Sequence, residues 1–120
     1  WMGEADEALK VAEHLVEKGD HSYALFFGHL AIEKLLKAIF VARQGEHAPL
    51  VHNLVRLANG ANVVLSEEYE QALVTITNFH LEARYPDFKR SFRDKCTPAY
   101  TDEQMKKIKA LFPWLKSQMA

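Results

Sequence analysis

Glu33 and Lys37 lie four residues apart in the stretch 22–43, SYALFFGHLAIEKLLKAIFVAR, and His29 precedes Glu33 by another four. At i, i+4, i+8 the three side chains share one stripe of a helix. The other faces of that helix are apolar on nearly every side, so most of its surface must be buried. A buried carboxylate or ammonium is costly unless it is paired. The order acid then base at i, i+4 favours an ion pair. Two readings follow. The pair is a structural tie at a seam of the fold, or Glu33 positions Arg84 or a ligand hydroxyl while Lys37 meets a phosphate.

His52 stands in the run Val51-His52-Asn53-Leu54. A neutral imidazole both donates and accepts, and it changes charge near neutral pH. It either contacts a ligand or bonds to nearby backbone at a helix start. Arg84 lies in Glu82-Ala83-Arg84-Tyr85-Pro86-Asp87. Its planar fork suits a carboxylate or phosphate, and Asp87 just beyond the turn could hold it. Phe88, Lys89, Arg90, Phe92, Arg93 and Lys95 follow. Basic residues interleaved with aromatics suit a phosphate and a stacked base, or else a surface loop pinned by two phenylalanines. Glycine-rich phosphate loops, HExxH and CxxC are missing, and the six histidines look scattered. Cys96 has no adjacent histidine, so a cysteine nucleophile is not expected.

Gly and Pro punctuate the elements that must position these groups. Glu4–Lys18 carries Ala8, Val11, Ala12, Leu15 and Val16 at helical spacing, with acids in its first turn and Lys18-Gly19 at its end. Asp20 is expected to cap a second helix over 21–44 that Gly45 closes. Pro49 suits the first turn of a third, containing His52–Ala58 and ending at Asn59-Gly60. Ser66 caps a fourth helix that runs to about Tyr85 and stops at Pro86. Residues 86–100 read as a long basic and aromatic loop. A last helix starts at Thr101-Asp102-Glu103, and Pro113 is expected to kink or break it. The pattern predicts an all-α, antiparallel four- to five-helix up-and-down bundle forming one domain over 1–120.

Formal net charge is −1 over 120 residues, which selects no partner class. Its distribution is uneven. Residues 1–20 carry two lysines against six acids, net −4, and residues 84–120 carry nine Lys/Arg against four acids, net +5. That asymmetry favours head-to-tail contacts or an anion near the C-terminal third, and it equally suits solvated helix faces. One cysteine excludes an intrachain disulfide and fits a reducing cytoplasm. No signal peptide is expected from the acidic, amphipathic N-terminal segment. Glu33, Lys34 and Lys37 argue against a membrane role for 22–43.

Together these residues resemble the HEPN domain family, small all-helical domains of bacteria, archaea and some eukaryotic proteins. Ala31-Ile32-Glu33-Lys34-Leu35-Leu36-Lys37-Ala38 is similar to the family's A-x-E-K-x-L-K-A helix. His52-Asn53-Leu54 is similar to its H-x-L helix start, and Arg84-Tyr85-Pro86-Asp87 to its R-Y-P-D turn. Tyr100-Thr101 and the closing helix follow at a suitable distance. The resemblance implies a bundle that pairs as a homodimer, often encoded beside a nucleotidyltransferase and acting with it as toxin and antitoxin. Some relatives bind nucleotides. One branch is a metal-independent ribonuclease using R-x(4-6)-H, commonly in a cleft between protomers.

This chain lacks that spacing: Arg43 comes closest, with three residues between it and His47, and no histidine follows Arg84 within reach. The expectation is therefore a protein that binds a nucleotide or RNA phosphate through Glu33, Lys37, His52, Arg84, Asp87 and Arg93. It would need no metal or cofactor. His29 shares the stripe but not the family pattern and is expected to be structural. The alternatives are a ribonuclease with an atypical His52/Arg84 pair, or a dimeric interaction module whose polar stripe seals its seam.

Overall fold

A computed structural model describes residues 2–119 and contains six helices, with no strand among them: α1 Met2–Glu17, α2 His21–Gln44, α3 Leu54–Gly60, α4 Glu67–Arg84, α5 Pro86–Lys95 and α6 Pro98–Ser117. The outermost positions of the expected domain, Trp1 and Ala120, lie outside the described residues.

The central element is α2. Its sequence is apolar around most of the helix because other helices cover it on several sides: α1 most extensively, then α6, α4 and α3. Leu25, Ile32, Leu35, Leu36 and Ile39 are fully buried along it. α6 crosses α2 at Gly28, where an added Cβ would stand 2.6 Å from Ile108 Cδ1. The missing side chain therefore lets the two helices approach closely.

Local signals set most of the boundaries. Gly19 and Gly45 take left-handed φ values of +81° and +67°, ending α1 and α2 at residues without a Cβ penalty. Asp20 stands at the N-cap of α2 but makes no side-chain capping bond. Ser66 Oγ accepts from Tyr69 N at 3.2 Å and caps α4, as Asn53 Oδ1 caps α3 by accepting from Arg56 N at 3.1 Å. At the far end of α2, the Arg43 guanidinium donates to the carbonyls of Ala61, Asn62 and Gln118 at 3.2, 2.7 and 2.6 Å. It joins the end of α2 to the α3–α4 connection and to the end of α6.

Four expectations need correction. Residues 86–95 form a helix, α5, instead of part of a long loop. Pro86 ends α4 but occupies the first position of α5, where its missing N–H costs nothing. Phe92 anchors α5, 1% exposed, with its ring centroid 5.5 Å from that of Phe79 on α4. The last helix begins three residues earlier than expected, at Pro98, with Thr97 Oγ1 accepting from Tyr100 N. It also runs through Pro113. Pro113 and Lys109, whose carbonyl loses its partner, both lie on the exposed side, where water can satisfy that carbonyl, while Phe112 and Leu115 stay buried and hold the final turn. Finally, α3 begins at Leu54, so His52 precedes it in an extended segment.

Candidate functional site

Glu33 is the hub of a polar seam where α2, the segment before α3, and α4 meet. Its side chain is 7% exposed, and it receives Lys37 Nζ at 3.2 Å on Oε2. On Oε1 it meets His52 Nδ1 at 2.8 Å. A carboxylate only accepts, so Nδ1 carries the proton. The neutral ring then keeps its lone pair on Nε2. The His52 side chain is 53% exposed, whereas those of Glu33 and Lys37 are buried.

The backbone of His52 is fixed as well. His29 Nε2 donates to the His52 carbonyl at 3.3 Å. Burial pulls the pKa of His29 down to about 4, outweighing the opposing pull of Glu33. His29 is therefore neutral at pH 7, and its 3.6 Å approach to Glu33 is not an ion pair. Thr77 of α4 adds a second tie: its hydroxyl accepts from Leu54 N at 3.1 Å and donates to Leu73 O at 2.7 Å. The start of α3 is thus held against α4.

His80 completes the seam. Its ring stacks on His52 with centroids 4.1 Å apart and planes at 24°. Burial lowers the His80 pKa, and the nearby His52 and Arg84 push it the same way while Glu33 opposes. For Glu33, burial alone would raise the carboxyl. The His52 hydrogen bond and the neighbouring His29 and Lys37 prevail and hold it below the usual carboxylate range.

The six expected binding residues fall in three places. Glu33, Lys37 and His52 converge directly. Arg84, exposed on the last turn of α4, joins them through its electrostatic reach to His80 one turn earlier. Arg93 instead lines a groove of about 650 Å³ with Ser22, Tyr23, Lys89, Arg90 and Asp94. Tyr23 is ten residues before Glu33, roughly 15 Å along α2 at 1.5 Å per residue. Asp87 stands exposed in the first turn of α5, where its charge suits the helix dipole. The basic and aromatic interleaving survives in that groove: Lys89 Nζ lies 5.9 Å from the Tyr23 ring centroid.

Neither His80 nor Thr77 stands out in the sequence, and the histidines are less scattered than they look, since three of the six meet here. The usable signal was spacing, because His80 and Arg84 are i and i+4 on α4 and so share a stripe. Arg43, the nearest approach to an R-x(4-6)-H pair, is committed to three backbone carbonyls at the other end of α2. Cys96 is buried, and burial with the nearby Glu82 pushes its thiol up to about 11, far from a reactive thiolate. Among the described residues, no group of three or more His, Cys, Asp or Glu is arranged to hold a metal ion, and no helix is long and apolar enough to cross a membrane.

A helical chain centred on the E-K-x-L-K helix, with its histidine bonded to that helix and the arginine of its R-Y-P-D turn close by, defines a class of small helical domain. The family model described as HEPN domain matches residues 1–118, and the chain belongs to that family. No curated protein and no solved structure matches it.

Proposed function

We propose that this HEPN protein binds the phosphate of a nucleotide or RNA at the seam around Glu33. The observation that carries the reading is the 2.8 Å contact between buried Glu33 and half-exposed His52. It fixes a ring whose Nε2 faces outward, beside His80 and within a turn of Arg84, and Nε2 donates to a phosphate oxygen once it takes up a proton. Arg84 and Lys37 supply positive charge. Arg93 with Lys89 and Arg90 extends that charge along α5, and Asp87 orients the start of α5. Phosphate sites are built this way, from fixed donors and a guanidinium fork.

The protein works as a homodimer, as a single domain in a reducing cytoplasm, with a nucleotidyltransferase as its toxin–antitoxin partner. The family supports the partnership, and α4 supports the dimer. Glu67, Glu70, Val74, Asn78 and Leu81 recur at helical spacing on one exposed stripe of α4, with Tyr85 exposed at its C-cap. The stripe is acidic at its start and apolar in the middle, and Lys89 and Arg90 follow its end. Two copies laid antiparallel bring the acids of each to the bases of the other, a self-complementary contact.

Thermal-shift titration with nucleotides and short RNA tests the binding, since a ligand of the native state raises the melting temperature. A shift that disappears in Arg84→Ala supports it. No shift with any of them at millimolar concentration overturns it. Co-purification of a co-encoded nucleotidyltransferase tests the partnership.

The same contact favours a second reading. A carboxylate that holds Nδ1–H leaves Nε2 as a base, and Arg84 could steady a phosphate under attack by a neighbouring hydroxyl. RNA cleavage in EDTA that vanishes in His52→Ala would establish it. Intact RNA after prolonged incubation with concentrated protein would remove it.

A further inference from the structure

His80 sits at the centre of a stack of rings. Besides His52 at 4.1 Å, its ring faces His29 at 5.4 Å and Phe26 at 6.3 Å, with interplanar angles of 29° and 20°. The charged and titratable groups around it are few. From α2 come His29 and Glu33, with Lys37 bonded to Glu33; from the segment before α3 comes His52; α4 itself adds Arg84. His29 stays neutral because it is fully buried. Among the described residues Glu33 is thus the one anion acting on His80, and both of its oxygens are engaged, by Lys37 and by His52.

One cationic imidazole can face Glu33. A second, stacked 4.1 Å from the first and close to Arg84, finds both oxygens of Glu33 already taken. A ligand can supply it. A terminal phosphate carries close to two negative charges at neutral pH, whereas a phosphodiester carries one.

We infer that the seam selects a phosphomonoester over a phosphodiester, and that the stacked His52–His80 pair takes up a proton as the ligand binds. The inference rests on the phosphate-binding reading above and names its ligand class. The monoester could be a free mononucleotide or the phosphorylated end of an RNA strand. Both present the same group to the two rings.

Isothermal titration calorimetry in two buffers of different ionisation enthalpy tests it on the full chain. The probes are AMP, 3′,5′-cyclic AMP, and one short RNA with either a 5′-phosphate or a 5′-hydroxyl. AMP or the phosphorylated RNA should bind about tenfold more tightly than its counterpart, the worth of one further charge-assisted contact. Its heat should depend on the buffer, reporting uptake of up to about one proton, and raising the pH from 7 to 8 should weaken binding by up to about tenfold. His80→Phe keeps a flat ring in the stack and removes its titration. It should retain binding while losing the buffer dependence and the preference. Tighter binding of AMP than of the RNA would identify the free nucleotide as the source, and the reverse would identify the RNA end. Binding without a monoester preference, or with buffer-independent heat, overturns this inference and leaves the phosphate site standing. No binding by any probe overturns the phosphate site itself. The wild-type measurements decide between these even if His80→Phe does not fold.

Discussion

The seam around Glu33 and the groove around Arg93 are both polar, and they are built on opposite terms. At the seam a buried carboxylate fixes Lys37 and His52 through contacts of 3.2 and 2.8 Å, and His80 covers one face of the His52 ring. In the groove, Lys89, Arg90 and Arg93 project from an exposed helix beside Tyr23. The first region has geometry and little free charge. The second has charge and little fixed geometry. Preorganised groups discriminate among ligands, because their cost of ordering is met in folding. Exposed cations attract any polyanion, and salt screens them.

That contrast can be broken at several points. The largest effect should come from Glu33→Ala, which removes the carboxylate from a buried lysine. Breaking a buried pair costs about 3 kcal/mol or more, so urea unfolding should show a loss of that size. A loss below about 1 kcal/mol would mean that the seam contributes little.

Acid should act on the same region. His29 has its pKa held at about 4 by burial, below the usual histidine value of 6.5. The unfolded chain therefore binds a proton that the folded one refuses. Stability is fully present above pH 6.5 and falls as the pH drops toward 4, by up to about 3 kcal/mol at 1.36 kcal/mol per unit. The lowered pKa of His80 adds in the same direction, and that of Glu33 adds below the ordinary glutamate range. Urea unfolding at pH 7 and at pH 4.5 checks the slope, and His29→Gln should flatten it.

Arg43→Ala should cost less, about 1–2 kcal/mol, because it unties exposed or partly buried carbonyls that water can reach. Ligand affinity should not change, since the knot lies at the far end of α2 from His29. The groove should show the smallest effect on stability. Replacing Lys89, Arg90 and Arg93 together by alanine should leave the melting temperature within about 0.5 kcal/mol of equivalent change, as for surface positions. RNA binding should become weaker and less salt-dependent, the slope of log affinity against log salt flattening by roughly two to three. An unchanged salt slope would show that the groove does not meet nucleic acid.

The sequence carried the all-α class and the limits of α2 and α4 because local signals coincide there: an N-cap serine on α4, a left-handed glycine after α2, and apolar residues at every turn of α2. α5 was hidden for a physical reason. Its apolar signal is only two phenylalanines, Phe88 and Phe92, four apart in a short basic stretch, of which only Phe92 is buried, and Pro86 reads as a stop although it is also a good first residue. Pro113 does not break α6, because its tolerance depends on which side of α6 faces water. At the site, the Glu33–Lys37 pair was legible as an i, i+4 spacing, and the family pattern added His52 and Arg84. The bond from Glu33 to His52 spans 19 residues and the stack on His80 joins different elements, so no local period encodes them. Arg93 was grouped with the others by charge, and only the fold separates it from them.

The central claim is that Glu33 holds His52 as the Nδ1–H tautomer, with Nε2 free to face a ligand. Nitrogen-15 NMR of the histidine side chains reads this directly, since protonated and unprotonated ring nitrogens resonate far apart. The account predicts that neutral His52 shows a protonated Nδ1 and an unprotonated Nε2, and that Glu33→Ala abolishes this bias. A neutral His52 protonated at Nε2 in the wild-type protein would contradict it.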